Sequence, residues 1–228
     1  MLSPELTTAL ALFLARVSAK QVCKTTPFDS SWPSPNEWST LNTSLNGALL
    51  ATTPVASSCW TGNPFDSDIS CNLTEANWSS SIFHASRPES IGAWLFANNS
   101  CIPPTADGYE KSRGCHLGGL PSYIVNATTE TQVAIALSWA ATRNIRVVVK
   151  GTGHDLSGRS SGAFALSLWT RNFRQLRRET CWQVPGSKNT EDVFIIGSGL
   201  GWDDVLDFAL DQGRVVTTGQ DGSVGPGG

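Results

Sequence analysis

Residues 150–162 read KGTGHDLSGRSSG and gather, in one short loop, the groups that could do chemistry. Glycines at 151, 153, 158 and 162 permit positive φ and let a ligand approach the backbone closely. Successive N–H groups in such a turn form a concave anion site, to which the hydroxyls of Ser160 and Ser161 can add donors. That is chemistry for a diphosphate. The candidate binding residues are therefore Lys150, Gly151, Thr152, Gly153, His154, Asp155, Gly158, Arg159, Ser160 and Ser161. Asp155 and Arg159 are spaced to form an ion pair inside the loop, while Arg146 and Lys150 read as solvated charges at strand ends. On its own, a histidine in a glycine loop reads as a surface or hydrogen-bonded structural group. His84 and His116 lack any such context and read as structural.

Two familiar nucleotide motifs are excluded. No Gly-Lys-Ser/Thr follows at Walker A spacing, and glycines at 151, 153 and 158 do not make the dinucleotide fingerprint. Residues 197–201, GSGLG, do lie between a strand pattern and a helix pattern, which is the Rossmann context. Their third glycine falls one place early, and no acidic residue ends the next apolar run at Thr218.

The elements that must position the loop can be read around it. Ser34, Pro35 and Glu37 form a helix start with a capping box, after which Trp38, Leu41 and Leu45 share one face. From about residue 51 to 115 periodicity is lost in a Ser-, Asn-, Pro- and Cys-rich stretch. Residues 121–125 read as a strand. Thr129 and Gln132 form a second capping box for a helix over about 130–143, with Val133, Ala136, Leu137, Ala140 and Ala141 on its apolar face. Residues 145–149 read as a buried strand leading into the loop, and residues 163–168 as the strand leaving it. A further strand over 193–196 precedes an amphipathic helix over 202–212, with Trp202, Val205, Leu206, Ala209 and Leu210 inward and Gly213 past its end. Residues 214–218 read as one more strand. The last residues, GQDGSVGPGG, form a glycine-rich loop and imply a piece of a larger fold.

The totals bound the class. The chain has 228 residues, 40% of them apolar and 15% charged, with a net charge of −3, which fits a globular protein and excludes wholesale disorder. No Lys/Arg stripe appears, so nucleic acid is not an expected partner. Residues 6–14, LTTALALFL, followed by Val17-Ser18-Ala19, read as a signal peptide cut after Ala19. No other apolar run is long enough for a membrane span, so a secreted, soluble protein is expected. Cysteines stand at 23, 59, 71, 101, 115 and 181, none in a C-x-x-C pair, which favours disulfides over a metal site. Six cysteines allow 15 pairings. Most bridges are expected between residues 59 and 115, where the elements look irregular. Sequons at Asn42, Asn72, Asn77, Asn98 and Asn126 are candidate glycosylation sites.

The order of these motifs resembles a known family. YIVNAT (123–128), the strand and KGTGHD loop (145–155), LSLWT (166–170), GSG (197–199) and VGPGG (224–228) are similar to the FAD-linked oxidases of the vanillyl-alcohol oxidase and p-cresol methylhydroxylase type. With the upstream WPSPNEW (32–38), the chain most resembles the secreted fungal, berberine-bridge-enzyme-like members. The resemblance implies that the loop wraps the FAD diphosphate and that His154 bonds covalently to the flavin 8α-methyl group. It also implies a second binding turn at Gly222, Ser223, Val224 and Gly225. Some members attach flavin a second time through a cysteine just before that turn. Asp221 stands there in this chain, so a single attachment is expected.

The reading is an α+β fold: the N-terminal part of a PCMH-type FAD-binding domain (117–228), preceded by a signal peptide (1–19) and a disulfide-rich segment with short helices (20–116). The resemblance implies FAD as cofactor and an alcohol or sugar as substrate, oxidised by hydride transfer to flavin. No residue takes the role of catalytic base. The alternative is an incomplete, inactive secreted domain that binds flavin weakly or not at all.

Overall fold

The computed structural model describes residues 23–227. The expected signal peptide lies outside the described residues.

Helix α1 (Pro35–Ser44) begins as its sequence dictates. The Ser34 hydroxyl accepts from the Glu37 amide, and the Glu37 carboxylate accepts from the Ser34 amide at 3.0 Å. A cap of this kind is worth about 1 kcal/mol. Helix α4 (Glu130–Thr142) starts with the same device at Thr129 and Gln132. Gln132 goes further: its Nε2 donates to the Leu45 carbonyl at 2.8 Å, tying the start of α4 to the end of α1. Between these helices run the short helices α2 (Cys71–Asn77) and α3 (Ser81–Ala85) and a short strand, β1 (Leu49–Ala51).

The main sheet joins β1, β2 (Tyr123–Asn126), β3 (Arg146–Lys150) and β4 (Ala165–Trp169) in the order β1-β2-β4-β3. β1 runs antiparallel to β2, and β2, β4 and β3 are mutually parallel. Central β4 is buried at all five positions, as parallel strands covered on both faces are. β3 corrects the expectation of a fully buried strand. It lies at the sheet edge among the described residues, and Val149 is 56% exposed. Helix α4 packs with Gln132, Ala136 and Ala140 inward, whereas Leu137 and Ala141 face out. The core beneath joins Trp38, Leu41 and Leu45 of the first segment to Val125, Ala136, Ile145, Leu166 and Leu168. Trp38 stacks on Tyr123 with ring centroids 4.0 Å apart.

A second core holds Val55, Ile69, Ile91, Trp94, Ala97, Ile102 and Leu120. Disulfides Cys59–Cys71 and Cys101–Cys115 staple it, both within the expected interval. Cys23 and Cys181 are exposed thiols.

Strands β5 (Leu176–Gln183) and β6 (Thr190–Ile196) form a separate antiparallel hairpin, followed by helix α5 (Trp202–Asp211). In α5, Val205 and Ala209 are buried, but Leu210 is exposed. The strand expected over 214–218 does not form. A β-branched run becomes a strand only where a neighbour completes its ladder, and Val215 is 86% exposed with none beside it among the described residues. No helix among the described residues is long and apolar enough to cross a membrane.

Candidate functional site

β3 ends by delivering Lys150 into the interior. This corrects the expectation of a solvated strand-end charge, since Lys150 is 1% exposed. Its Nζ donates to the carbonyls of His84 at 3.3 Å and Arg87 at 2.5 Å, and lies 5.5 Å from the Trp169 ring centroid. Burial pushes Lys150 down to about 7, with the charge of Glu89 working against that shift. Burial likewise raises Glu89. Sequence gave no sign of this cluster, because its partners come from the irregular segment around α3.

His84 is structural, as expected. Its Nε2 donates to the Trp78 carbonyl and its Nδ1 accepts from Ser90 Oγ, each at 2.6 Å, and burial keeps it below the usual histidine range.

Beyond Lys150 the backbone turns with Gly153 at φ +88°, where a Cβ would meet the Lys150 side chain at 2.9 Å. The amides of Thr152, Gly153, His154 and Asp155 donate to no protein acceptor among the described residues. Thr152 Oγ1 is buried and also partnerless. The buried Thr152 hydroxyl, left in this way, calls for an outside acceptor, and the neighbouring amides are open to the same one.

Asp155 and Arg159 do form the expected pair, at 3.0 and 2.6 Å from Oδ1. Asp155 Oδ2 also accepts from the amides of Ser157 and Arg159, closing the turn. The Arg159 hydrogen bonds hold the Asp155 carboxyl at about 2. Both side chains are thus turned to each other. Gly158, at φ +74°, packs against the Phe96 side chain too closely for a Cβ. Ser160 is half-buried, whereas Ser161 departs from expectation: its hydroxyl is committed to the Gly119 carbonyl at 2.9 Å and is no spare donor.

The second expected turn comes to meet the loop. Gly225 lies so close that a Cβ there would sit 3.4 Å from Thr152 Cγ2. The carbonyls of Gly222 and Val224 accept from the Asp203 and Trp202 amides, satisfying the start of α5. Ser223 faces the other way. Its Oγ lies 2.8 Å from His154 Nε2, 2.6 Å from Asp221 Oδ1 and 3.0 Å from Ser81 Oγ. Ser81 carried no sequence signal. His154 is half-buried, and burial lowers it from the usual histidine value, opposed by the charge of Asp221. Burial thus favours the unprotonated imidazole.

Residues 197–201 serve packing. Gly197 and Gly199 press against backbone of Phe173 and Arg171 too closely for a side chain, and their amides donate to the carbonyls of Gln175 and Phe173 at 2.7 and 2.8 Å. Among the described residues no cluster of His, Cys, Asp or Glu could hold a metal ion.

A parallel-stranded α+β domain with a glycine loop and open donors fits a dinucleotide-binding class, and the comparisons say which. Residues 121–227 match the FAD binding domain family. The chain is 37% identical over 224 residues to an FAD-linked oxidoreductase of Gibberella fujikuroi, covering 94% of this chain and 36% of that protein. It is 35% identical to a VAO-type flavoprotein oxidase of Thermothelomyces thermophilus, covering 89% of this chain and 35% of the relative. The crystal structure of a VAO-type flavoprotein from Myceliophthora thermophila C1 superposes with a TM-score of 0.81 at 34% identity, over 91% of this chain and 37% of that one. The chain belongs to the PCMH/VAO-type FAD-binding superfamily. It spans about a third of the length of these relatives.

Proposed function

We propose that this chain is the FAD-binding part of an exported, berberine-bridge-enzyme-like oxidoreductase that takes a hydride from an alcohol or a sugar, with His154 as the single covalent anchor of the flavin. The observation that carries the reading is the row of unclaimed donors from Thr152 to Asp155, which includes His154 itself. These residues fit a diphosphate: four amides and one buried hydroxyl supply neutral donors to anionic oxygens. The Asp155–Arg159 pair keeps the loop closed, and the Gly222–Gly225 turn forms its opposite wall. Bound FAD supplies the two-electron acceptor, which is chemistry of the cofactor rather than of any side chain. His154 offers a lone pair near neutral pH because burial disfavours its protonated form. Two disulfides support an oxidising compartment and hence export.

Intact mass and visible absorbance of the full chain test this. The expected protein is yellow, one FAD heavier, and keeps that mass after acid precipitation, whereas His154→Ala loses it. A colourless wild type at bare-chain mass overturns the reading.

A further inference from the structure

The His154 contact has a direction. Ser223 has one hydroxyl proton and two neighbours that compete for it. An ionised carboxylate can only accept, and Asp221 is the closer, at 2.6 Å. The Ser223 backbone amide donates to the same Oδ1 at 2.8 Å and holds the carboxylate in place. The Ser223 proton therefore goes to Asp221, and its two lone pairs receive the Ser81 hydroxyl and the ring N–H of His154. The proton of the neutral imidazole then sits on Nε2, and Nδ1, which has no hydrogen-bond partner among the described residues, carries the lone pair.

We propose that Asp221, acting through Ser223, is a positioning pair that fixes the His154 tautomer and makes Nδ1 the atom that bonds to flavin. The inference rests on His154 being the flavin anchor and adds what selects its reacting nitrogen. In the bond-forming step Nδ1 joins the 8α carbon, which gives up one C–H proton. The electron pair of that C–H bond passes into the ring system, reducing it by two electrons. The imidazole loses its Nε2 proton toward Ser223 and Asp221. Dioxygen then removes the two electrons and two protons as hydrogen peroxide, restoring the oxidised ring. The position before the turn that carries a cysteine in some related enzymes thus carries here a carboxylate with a different task.

The test uses the full chain produced in riboflavin-starved cells, so that no flavin is attached, as wild type and as Asp221→Asn, Ser223→Ala and Ser223→Thr. Nitrogen-15 NMR of the imidazoles reads the tautomer without any cofactor. Wild type and Ser223→Thr are expected to show His154 protonated on Nε2, and Asp221→Asn and Ser223→Ala a mixture of both tautomers. On adding FAD in air, the latter two are expected to form acid-stable flavin about 10²-fold more slowly, the effect of losing an oriented proton acceptor. An Nδ1-protonated wild type, or wild-type tautomer and rate in both Asp221→Asn and Ser223→Ala, overturns the proposal. Acid-stable flavin in His154→Ala instead overturns the anchor assignment, while the NMR result still decides the role of the pair.

Discussion

Lys150 Nζ lies 2.5 Å from the carbonyl oxygen of Arg87, a residue 63 positions earlier in the chain. One buried ammonium thus pins the segment after α3 to the strand that launches the glycine loop. Its depressed pKa makes the contact pH-dependent. The unfolded lysine holds its proton up to 10.5 and the folded one only to about 7, so between these values the unfolded state binds more protons. The contribution of Lys150 to stability therefore rises with pH across that window. Urea denaturation from about pH 7 to about pH 9 should show wild type gaining on Lys150→Met. A constant difference between the two would refute the buried-charge account.

Gln132 should matter more than an ordinary capping residue. Its side chain satisfies the Thr128 and Thr129 amides and the buried Leu45 carbonyl. Gln132→Ala leaves these groups unpaired and is expected to cost about 1–3 kcal/mol. Ser34→Ala, at an exposed cap, is expected to cost about 1 kcal/mol. Denaturation midpoints at constant m-value rank the two.

Gly158 has two reasons to be glycine, its φ of +74° and the Phe96 ring against it. Gly158→Ala is expected to cost more than about 1 kcal/mol and to weaken FAD retention, because the loop must open to admit the methyl group. Phe96→Gly in the same chain relieves the steric part and leaves the backbone strain. A Gly158→Ala protein with wild-type melting and flavin content would show that the loop does not adopt this turn.

If the chain passes through the secretory pathway, its sequons are not equivalent. Asn72 and Asn98 are exposed. Asn42 Oδ1 instead accepts from the Leu49 amide at 3.0 Å, and Asn126 Oδ1 accepts from Asn172 at 2.6 Å. Glycopeptide mass spectrometry is expected to find glycan at Asn72 and Asn98 and bare asparagine at Asn42 and Asn126. The reverse pattern would contradict these contacts.

What the sequence disclosed was what is decided locally. Both capping boxes, the apolar run of β4 and the Asp155–Arg159 pair each involve residues a few positions apart, and all were legible. What it hid depends on distant partners. Lys150 looked solvated because the carbonyls that receive it come from His84 and Arg87. Residues 214–218 looked like a strand because β propensity says nothing about whether a neighbour exists. β5 was missed for the converse reason: its charged residues disguise a strand that Asp192 of β6 and Arg178 hold together at 2.6 Å. Ser81 reaches Ser223 across 142 positions, beyond any local pattern.

The turn at 222–225 has a double allegiance. Its carbonyls hold the first amides of α5 while Ser223 holds the imidazole of His154. Fraying of the first turn of α5 would release the Trp202 and Asp203 amides to solvent and let the histidine go in the same event. Hydrogen exchange at those two amides therefore clocks how often His154 loses its Ser223 contact, and a ligand that tightens His154 should slow exchange at a helix it need not touch.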